Sequence, residues 1–334
     1  MPAGENRRAM RIVLAGGSGQ LGGVLARHLQ ELGHHVTVLT RSPYTAPWLT
    51  VHWDGQNAGP WTEFLEGAEV CINLAGRSLN CHWDAHNRRE ILASRLVTTR
   101  LLGRVMGELT RPPRVWMNAS TASVYRHSLD EEMDEESELG GNERMRRFPF
   151  GRRRAPASWN FWARAAQEIE AEFFRIETPR TRKIALRSGD VMSPEPGGAF
   201  GRLSNLTRTG LGGAEGNGRQ YVAWIHERDF ARAVEFLIAR EDLEGPINLT
   251  APYPLTNREL MAGLREAWEV PNGLPAPAVA IWIAAWVVGT NSESLLKSRC
   301  VIPGRLLDAG FEFEFPRWAE AAEDLVRMWR RQNG

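Results

Sequence analysis

Three glycines at three-residue intervals, Gly16, Gly19 and Gly22, follow the apolar run RIVLA and lead into a segment of helical periodicity. That order of strand, glycine turn and helix is the chemistry of a pyrophosphate cradle. Without a Cβ, Gly16 can take a tight turn, Gly19 lets the backbone approach a diphosphate, and Gly22 lets the helix over 21–32 pack closely on a sheet. Free N–H groups at the helix start, in the stretch that holds Ser18, Gln20 and Leu21, then face the anion.

The next strand, VTVLT, ends in Arg41. Pockets for NAD place a carboxylate about 20 residues beyond the glycines, where it accepts from the ribose 2′-hydroxyl. A guanidinium there offers a planar fork of donors to a phosphate, so the sequence favours NADP(H). The plainer alternative is a surface arginine capping a strand.

Around these residues the α/β alternation continues. VHW at 51–53, VCINLAG at 70–76, VWMNAS at 115–120 and KIALRSG at 183–189 read as strands, separated by helices over 86–109 and 160–176. In the first of these helices Ile91, Leu92, Leu96, Leu101, Leu102 and Val105 share one side. Strands separated by helices imply an α/β, Rossmann-type doubly wound parallel sheet. Ligands of such sheets sit beyond the carboxyl ends of the strands, so the turns after Ala15, Leu74, Ala119 and Leu186 converge on one crevice. Residues 194–220 are glycine-rich and suit a loop region over that crevice. WIHERDFARAVEFLIAR then returns to strand and helix, and INLTA precedes a helix capped by Thr256 or Asn257 and reaching Trp268. Further helices follow, with PGRLLDAGFEFEFP as a short irregular or β element between them. The expected division is a nucleotide-binding domain over 10–245, to whose substrate lobe residues 192–223 contribute, and a smaller C-terminal lobe over 246–330.

Composition sets limits on function. The chain has 334 residues, 43% hydrophobic and 24% charged, with a net charge of +1. Such a balance offers no global attraction to nucleic acid or to an anionic membrane. Cys71, Cys81 and Cys300 have neither the number nor the spacing of a disulfide framework or zinc site, which points to a reducing, cytoplasmic location. MPAGENRRAM lacks the apolar core of a signal peptide. AVAIWIAAWVVG at 278–289 falls short of the roughly 20 residues that a bilayer needs and is expected as a buried helix. The acidic block DEEMDEESE at 130–138 and the basic block RMRRFPFGRRR at 144–154 suit a solvated loop that pairs with itself. A lid that attracts an anionic substrate is the sharper alternative. The oligomeric state is not legible.

Several motifs coincide with one family. AGGSGQLG, INLAG, SRLVTTRLL, STASVY, LRSGDVMSPEPGGAF, GLGGAEGNGRQYVAWIHERD, INLTAPYPLTNREL and VIPGRLLDAGFEFEFP run through roughly residues 10–328. The chain resembles extended short-chain dehydrogenases/reductases, in particular the branch of epimerase family proteins sometimes labelled cell-division inhibitors, which end in a small domain of unknown function. The resemblance implies an NADP(H) pocket. It places Thr40 and Arg41 at the adenosine ribose phosphate, Leu74, Ala75 and Gly76 along the adenine and ribose, Glu90 and Arg95 on a helix bordering the cofactor, and Val191 beside the nicotinamide. Arg95 could instead pair with Glu90 or cap a neighbouring loop.

The same resemblance exposes a gap. These enzymes transfer hydride with a Tyr as acid, a Lys four residues later, and a Ser or Thr that polarises the substrate oxygen. Thr121 of STASVY supplies the hydroxyl. At the other two positions stand Trp162 and Ala166, and neither can give a proton. Departures also occur on the substrate side, where Arg77 follows the NLAG and Cys81-His82-Trp83 replaces the usual Arg-Arg-Trp. His82 and His86 lie four apart with only Cys81 and Asp84 nearby, which makes no metal site. Candidate donors are Tyr125, His82 and His226. Tyr125 could equally be a packing residue, His226 could orient its loop through Asp229, and Trp224 could stack on a flat substrate or fill core. Two functions stay open: an NADP(H)-dependent oxidoreductase or epimerase-like enzyme for a small carbonyl or sugar-like molecule, and a non-catalytic NADP(H)-bound sensor or interaction protein.

Overall fold

The computed structural model of the chain describes residues 8–78, 81–82, 84–142, 157–195, 197–276 and 296–334. Seven parallel strands form its centre: β1 (Arg11–Ala15), β2 (His35–Thr40), β3 (Leu49–His52), β4 (Val70–Asn73), β5 (Val115–Thr121), β6 (Arg182–Ser188) and β10 (Gly245–Leu249). Their spatial order is β3-β2-β1-β4-β5-β6-β10. Ile12, Leu14, Ile72, Val115 and Ile184 are buried on one face, and Val13, Cys71, Trp116 and Ala185 on the other. Burial on both faces is why these strands are near-continuous apolar runs without polar alternation.

Helices cover each face. α1 (Gln20–Glu31) packs with α5 (Glu227–Ala239) on one side, where Leu25, Leu29, Phe230 and Leu237 meet the sheet. On the other side α2 (Ala85–Glu108) packs with α3 (Ala157–Arg175), and Leu101, Leu102, Met106 and Phe173 surround Trp116. The apolar positions expected on α2 are buried except Leu92, which is half-buried. A second, smaller core lies between α4 (Ala199–Arg208), α6 (Asn257–Ala267) and α8 (Trp318–Asn333), with Met192, Phe200, Leu203, Trp224, Leu260, Leu264 and Leu325 inside it. The short strands β7 (Asp190–Met192) and β9 (Trp224–His226) pair in parallel, and β8 (Tyr221–Val222) pairs with β11 (Leu255–Thr256). α6 begins with the expected cap: Thr256 accepts from the Glu259 N–H while Glu259 accepts from the Thr256 N–H. That reciprocal capping satisfies two donors that a helix start otherwise leaves open.

Four expectations are corrected. The glycine-rich stretch 194–220 is not all loop, because α4 lies inside it, with Phe200, Leu203, Ser204 and Thr207 buried at helical spacing and Gly198 as its start. The segment PGRLLDAGFEFEFP contains no strand. Its first half forms α7 (Gly304–Asp308), and Leu306 and Phe311 pack into the core of the large sheet. The sheet also runs past residue 245, since β10 forms its edge by pairing with β6. Finally, the acidic block is not a wholly solvated loop. Met133 and Glu135 are buried: Met133 exchanges backbone hydrogen bonds with Cys300 and Ile302, and Glu135 accepts from the N–H groups of Asn248 and Arg305. The basic block at 144–154, the apolar run at 278–289 and Trp83 lie outside the described residues.

Candidate functional site

The strand order reverses direction between β1 and β4, and their carboxyl ends open into one crevice. Gly16 stands at that point with φ of +73°, and a Cβ on it would lie 2.5 Å from the Cα of Ala75. The two loops therefore touch, which only glycine allows here. A Cβ on Gly22 would overlap the carbonyl of Gly17, so this glycine is what lets α1 descend against the turn. Gly19 differs from both. It is the N-cap of α1, no described side chain caps the helix, and a Cβ there would meet no described residue within 4 Å. Two of the glycines are closed off by protein, and the third faces open space at a bare helix N-terminus, the arrangement that accepts an anion. Ser18 is exposed beside it and Leu21 half-buried behind it. Gln20 reaches across the crevice, donating to the Val191 carbonyl at 3.4 Å and lying against Gly198.

At the end of β2, Thr40 is buried and its hydroxyl accepts from the Ser42 N–H. Arg41 is exposed and makes no hydrogen bond or ion pair with any described residue. It does not cap its strand. On the far side of the crevice the loop after β4 is held from below by a buried amide network. Asn73 accepts from the Ala75 N–H and donates to the Asn118 side chain at 2.7 Å, while Thr99 donates to the same Asn118 oxygen. Leu74 and Ala75 are half-buried along this loop.

Arg95 lies against Gly76, where a Cβ would sit 2.7 Å from its guanidinium carbon. It donates to the carbonyls of Arg77 and Ile91, and burial lowers its pKa to about 10. No described carboxylate pairs with it, and Glu90 is exposed and apart from it. The loop-capping alternative for Arg95 is thus present in the structure, and the Glu90 pair is not. Arg77 donates to the Asn87 side chain at 2.7 Å, and Asn87 in turn donates to the carbonyl of His82. His82 itself is exposed, and Asp84 caps α2 by accepting from the Asn87 N–H.

β5 ends in Thr121, whose half-buried hydroxyl accepts from the Ser123 N–H and so caps a 3₁₀ turn over Ala122–Val124. Tyr125 follows it and is fully buried. Its hydroxyl donates to Asn248 at 2.7 Å and accepts from Arg187 at 2.9 Å, and burial pushes the phenol up to about 12. Those bonds count against Tyr125 as a proton donor. Arg187 is held by a two-pronged pair with Glu170 at 3.0 and 2.8 Å, and Ser120 also donates to Glu170. Reading the sequence missed this group, although a lone Arg inside the apolar strand KIALRS was a usable signal. Glu170 lies on α3 one turn beyond Ala166.

Trp224 and His226 are both buried. Trp224 stacks edge-on against Trp318 at 4.9 Å within the smaller core. His226 is the N-cap of α5, accepting from the Arg228 N–H at 3.1 Å, and its ring lies on Phe315 at 4.0 Å. Burial, aided by the charge of Arg228, lowers its pKa to about 3, so the ring is neutral. Its acidic neighbour is Asp324 at 3.5 Å, not Asp229, which accepts instead from the N–H groups of Glu314 and Phe315. Neither side chain opens to the crevice.

Comparison with known proteins agrees with this geometry. Residues 12–249 match the model of the NAD dependent epimerase/dehydratase family, and residues 276–325 match a domain of unknown function (DUF1731). The chain is 31% identical over 325 residues to the epimerase family protein SDR39U1 of Mus musculus, spanning 95% of this chain and 100% of that one. An epimerase family protein of Staphylococcus epidermidis is 29% identical over 320 residues, spanning 95% and 99%. Among solved structures, human SDR39U1 crystallised with NADPH superposes with a TM-score of 0.81 at 29% identity, covering 95% of this chain and 99% of that chain. With its parallel sheet, its glycine turn at the switch point and these matches along its length, the chain belongs to the NAD dependent epimerase/dehydratase family.

Proposed function

We propose that this protein is an NADP(H)-dependent oxidoreductase or epimerase-like enzyme that acts on a small carbonyl or sugar-like molecule. The observation that carries the cofactor is the pairing of an open Gly19 helix start with Arg41, which has no partner among the described residues, at the end of the neighbouring strand. The first takes the pyrophosphate and the second the 2′-phosphate. Thr40, Leu74, Ala75 and Gly76 line the adenosine side, and Val191, tied to the glycine turn through Gln20, lies at the nicotinamide end. The likeness to human SDR39U1, crystallised with NADPH, supports the choice of cofactor. When bound, the nicotinamide supplies or accepts a hydride. The chain's part is to hold the substrate oxygen at Thr121, to close the crevice with α4, and to present the exposed Arg77 and His82 ahead of α2.

Tyr125, Trp224 and His226 serve the frame rather than the substrate in this reading, since all three are buried and engaged elsewhere. The proton comes from His82 or solvent. A panel of small carbonyl compounds and nucleotide sugars, followed by NADPH oxidation or by sugar interconversion, tests the enzyme. Thr121→Val preserves shape and should lower turnover by about 10²- to 10³-fold while leaving NADPH affinity intact. An active substrate turned over equally by both proteins removes Thr121 from the chemistry. Tight NADPH binding without turnover of any panel member favours the second reading, a cofactor-bound sensor, for which the occupied Tyr125 hydroxyl and Ala166 speak.

A further inference from the structure

The C-terminal domain of unknown function sends one short segment, Lys297 to Arg299, into the heart of the larger domain. Lys297 is 3% exposed, and its Nζ donates to the carbonyls of Ser123 at 3.2 Å and Tyr125 at 2.7 Å. Those carbonyls belong to the turn that Thr121 caps. Ser298 is fully buried: its N–H donates to the His127 ring, its carbonyl accepts from the Ser128 N–H, and its hydroxyl accepts from the Tyr221 N–H. Arg299 pairs with Asp190 at 3.0 Å, the residue before Val191, and its N–H donates to the Tyr221 carbonyl. Three consecutive residues thus join the turn after β5, the start of β7 and strand β8.

Composition sharpens the point. Of 41 basic residues only two are lysines, Lys183 and Lys297. Both point an ammonium at converging main-chain carbonyls, Lys183 at those of Phe173, Phe174 and Ile176. A compact ammonium with three rotatable donors satisfies such a cluster, whereas a planar guanidinium spreads its donors outward in a fork.

We propose that Lys297 is a positioning residue that fixes the Thr121 turn, and that Lys297 to Arg299 are the means by which the C-terminal domain sets the hydride end of the crevice. The inference rests on the cofactor placement proposed above for its effect on the nicotinamide, and on geometry alone for its effect on the turn. Two measurements on the full chain separate these. Amide hydrogen exchange of peptides over 119–126, without cofactor, reads the turn. Emission of bound NADPH against its dissociation constant reads the nicotinamide end separately from overall affinity.

In Lys297→Met the two charge-assisted bonds are lost, and exchange in that peptide should rise by about tenfold or more. Bound NADPH should shift in emission toward free NADPH, with affinity unchanged because the glycine turn and Arg41 are intact. Lys183→Met, a loss of the same kind at the end of α3, should move neither quantity. If Lys297→Met does not fold, Lys297→Arg keeps the charge and should show the same split. Wild-type exchange and wild-type emission in a folded Lys297 variant overturn the proposal. A wild-type protein that bound no NADPH would sink the cofactor reading, and exchange in the turn would still decide the brace.

Discussion

Substituting the three glycines of the turn one at a time should separate fold from ligand. Gly22→Ala places a Cβ onto the Gly17 carbonyl, a backbone atom that cannot step aside. Overpacking of this kind costs about 1–3 kcal/mol, and a clash with main chain belongs at the upper end. For a domain of this size that lowers the melting temperature by roughly 4–6 °C. Gly16→Ala combines a contact of 2.5 Å with Ala75 and a φ of +73°, and should melt at least as early. Gly19→Ala meets no described residue within 4 Å, at an N-cap whose φ of −87° suits any residue. Its stability cost is about 0.5–1 kcal/mol, the difference between glycine and alanine at such a position. The new methyl does stand where a pyrophosphate would approach. Loss of one charge-assisted N–H contact there, about 1.5–3 kcal/mol, weakens NADPH by roughly 10- to 150-fold. Thermal melts and calorimetric NADPH titrations of the three variants check the pattern. A stable Gly22→Ala, or a Gly19→Ala that binds NADPH like wild type, refutes the division of labour.

Further outcomes follow from the buried polar groups. Tyr125→Phe leaves Asn248 and Arg187 short of a partner and should destabilise by about 1–3 kcal/mol in denaturant titration, whereas an unchanged midpoint would show that the hydroxyl does not matter to the fold. Glu170→Gln strips the buried Arg187 of its counter-charge, and a loss of about 3–5 kcal/mol is expected by the same measurement. His226 has its pKa lowered to about 3 in the folded chain, against about 6.5 when unfolded. The unfolded state therefore takes up the proton first. Its contribution is full above pH 6.5 and is lost as pH falls toward 3, with a slope of up to about 1.4 kcal/mol per pH unit. His226→Asn keeps a capping acceptor and should flatten that part of the stability profile, and parallel profiles for the two proteins would remove His226 as the cause.

The sheet was legible because its strands are buried on both faces and carry unbroken apolar runs between helical segments. Gly16 and Gly22 were assigned their roles from spacing alone, and the contacts at Ala75 and Gly17 supply the reason. α4 was hidden because glycines at 197, 198, 201, 210, 212 and 213 surround and interrupt a helix whose buried apolar side chains are only Phe200 and Leu203. The side-chain partners were less legible still. Nothing near Tyr125 in the chain announces Asn248, Arg187 or Glu170, which arrive from β10, β6 and α3. His226 was paired with Asp229 by proximity in sequence, but the start of α5 points Asp229 at the backbone of 314–315 and leaves Asp324, almost a hundred positions on, beside the imidazole. Long-range partners of buried polar groups are set by packing, and local spacing does not encode them.

Selectivity of the dinucleotide pocket for the 2′-phosphate is expected to rest on Arg41. Calorimetric titration of the wild-type chain with NADPH and with NADH should show NADPH binding more tightly, and Arg41→Ala should erase most of that preference while NADH affinity stays as it was. Equal dissociation constants for the two cofactors in the wild-type protein would contradict the account.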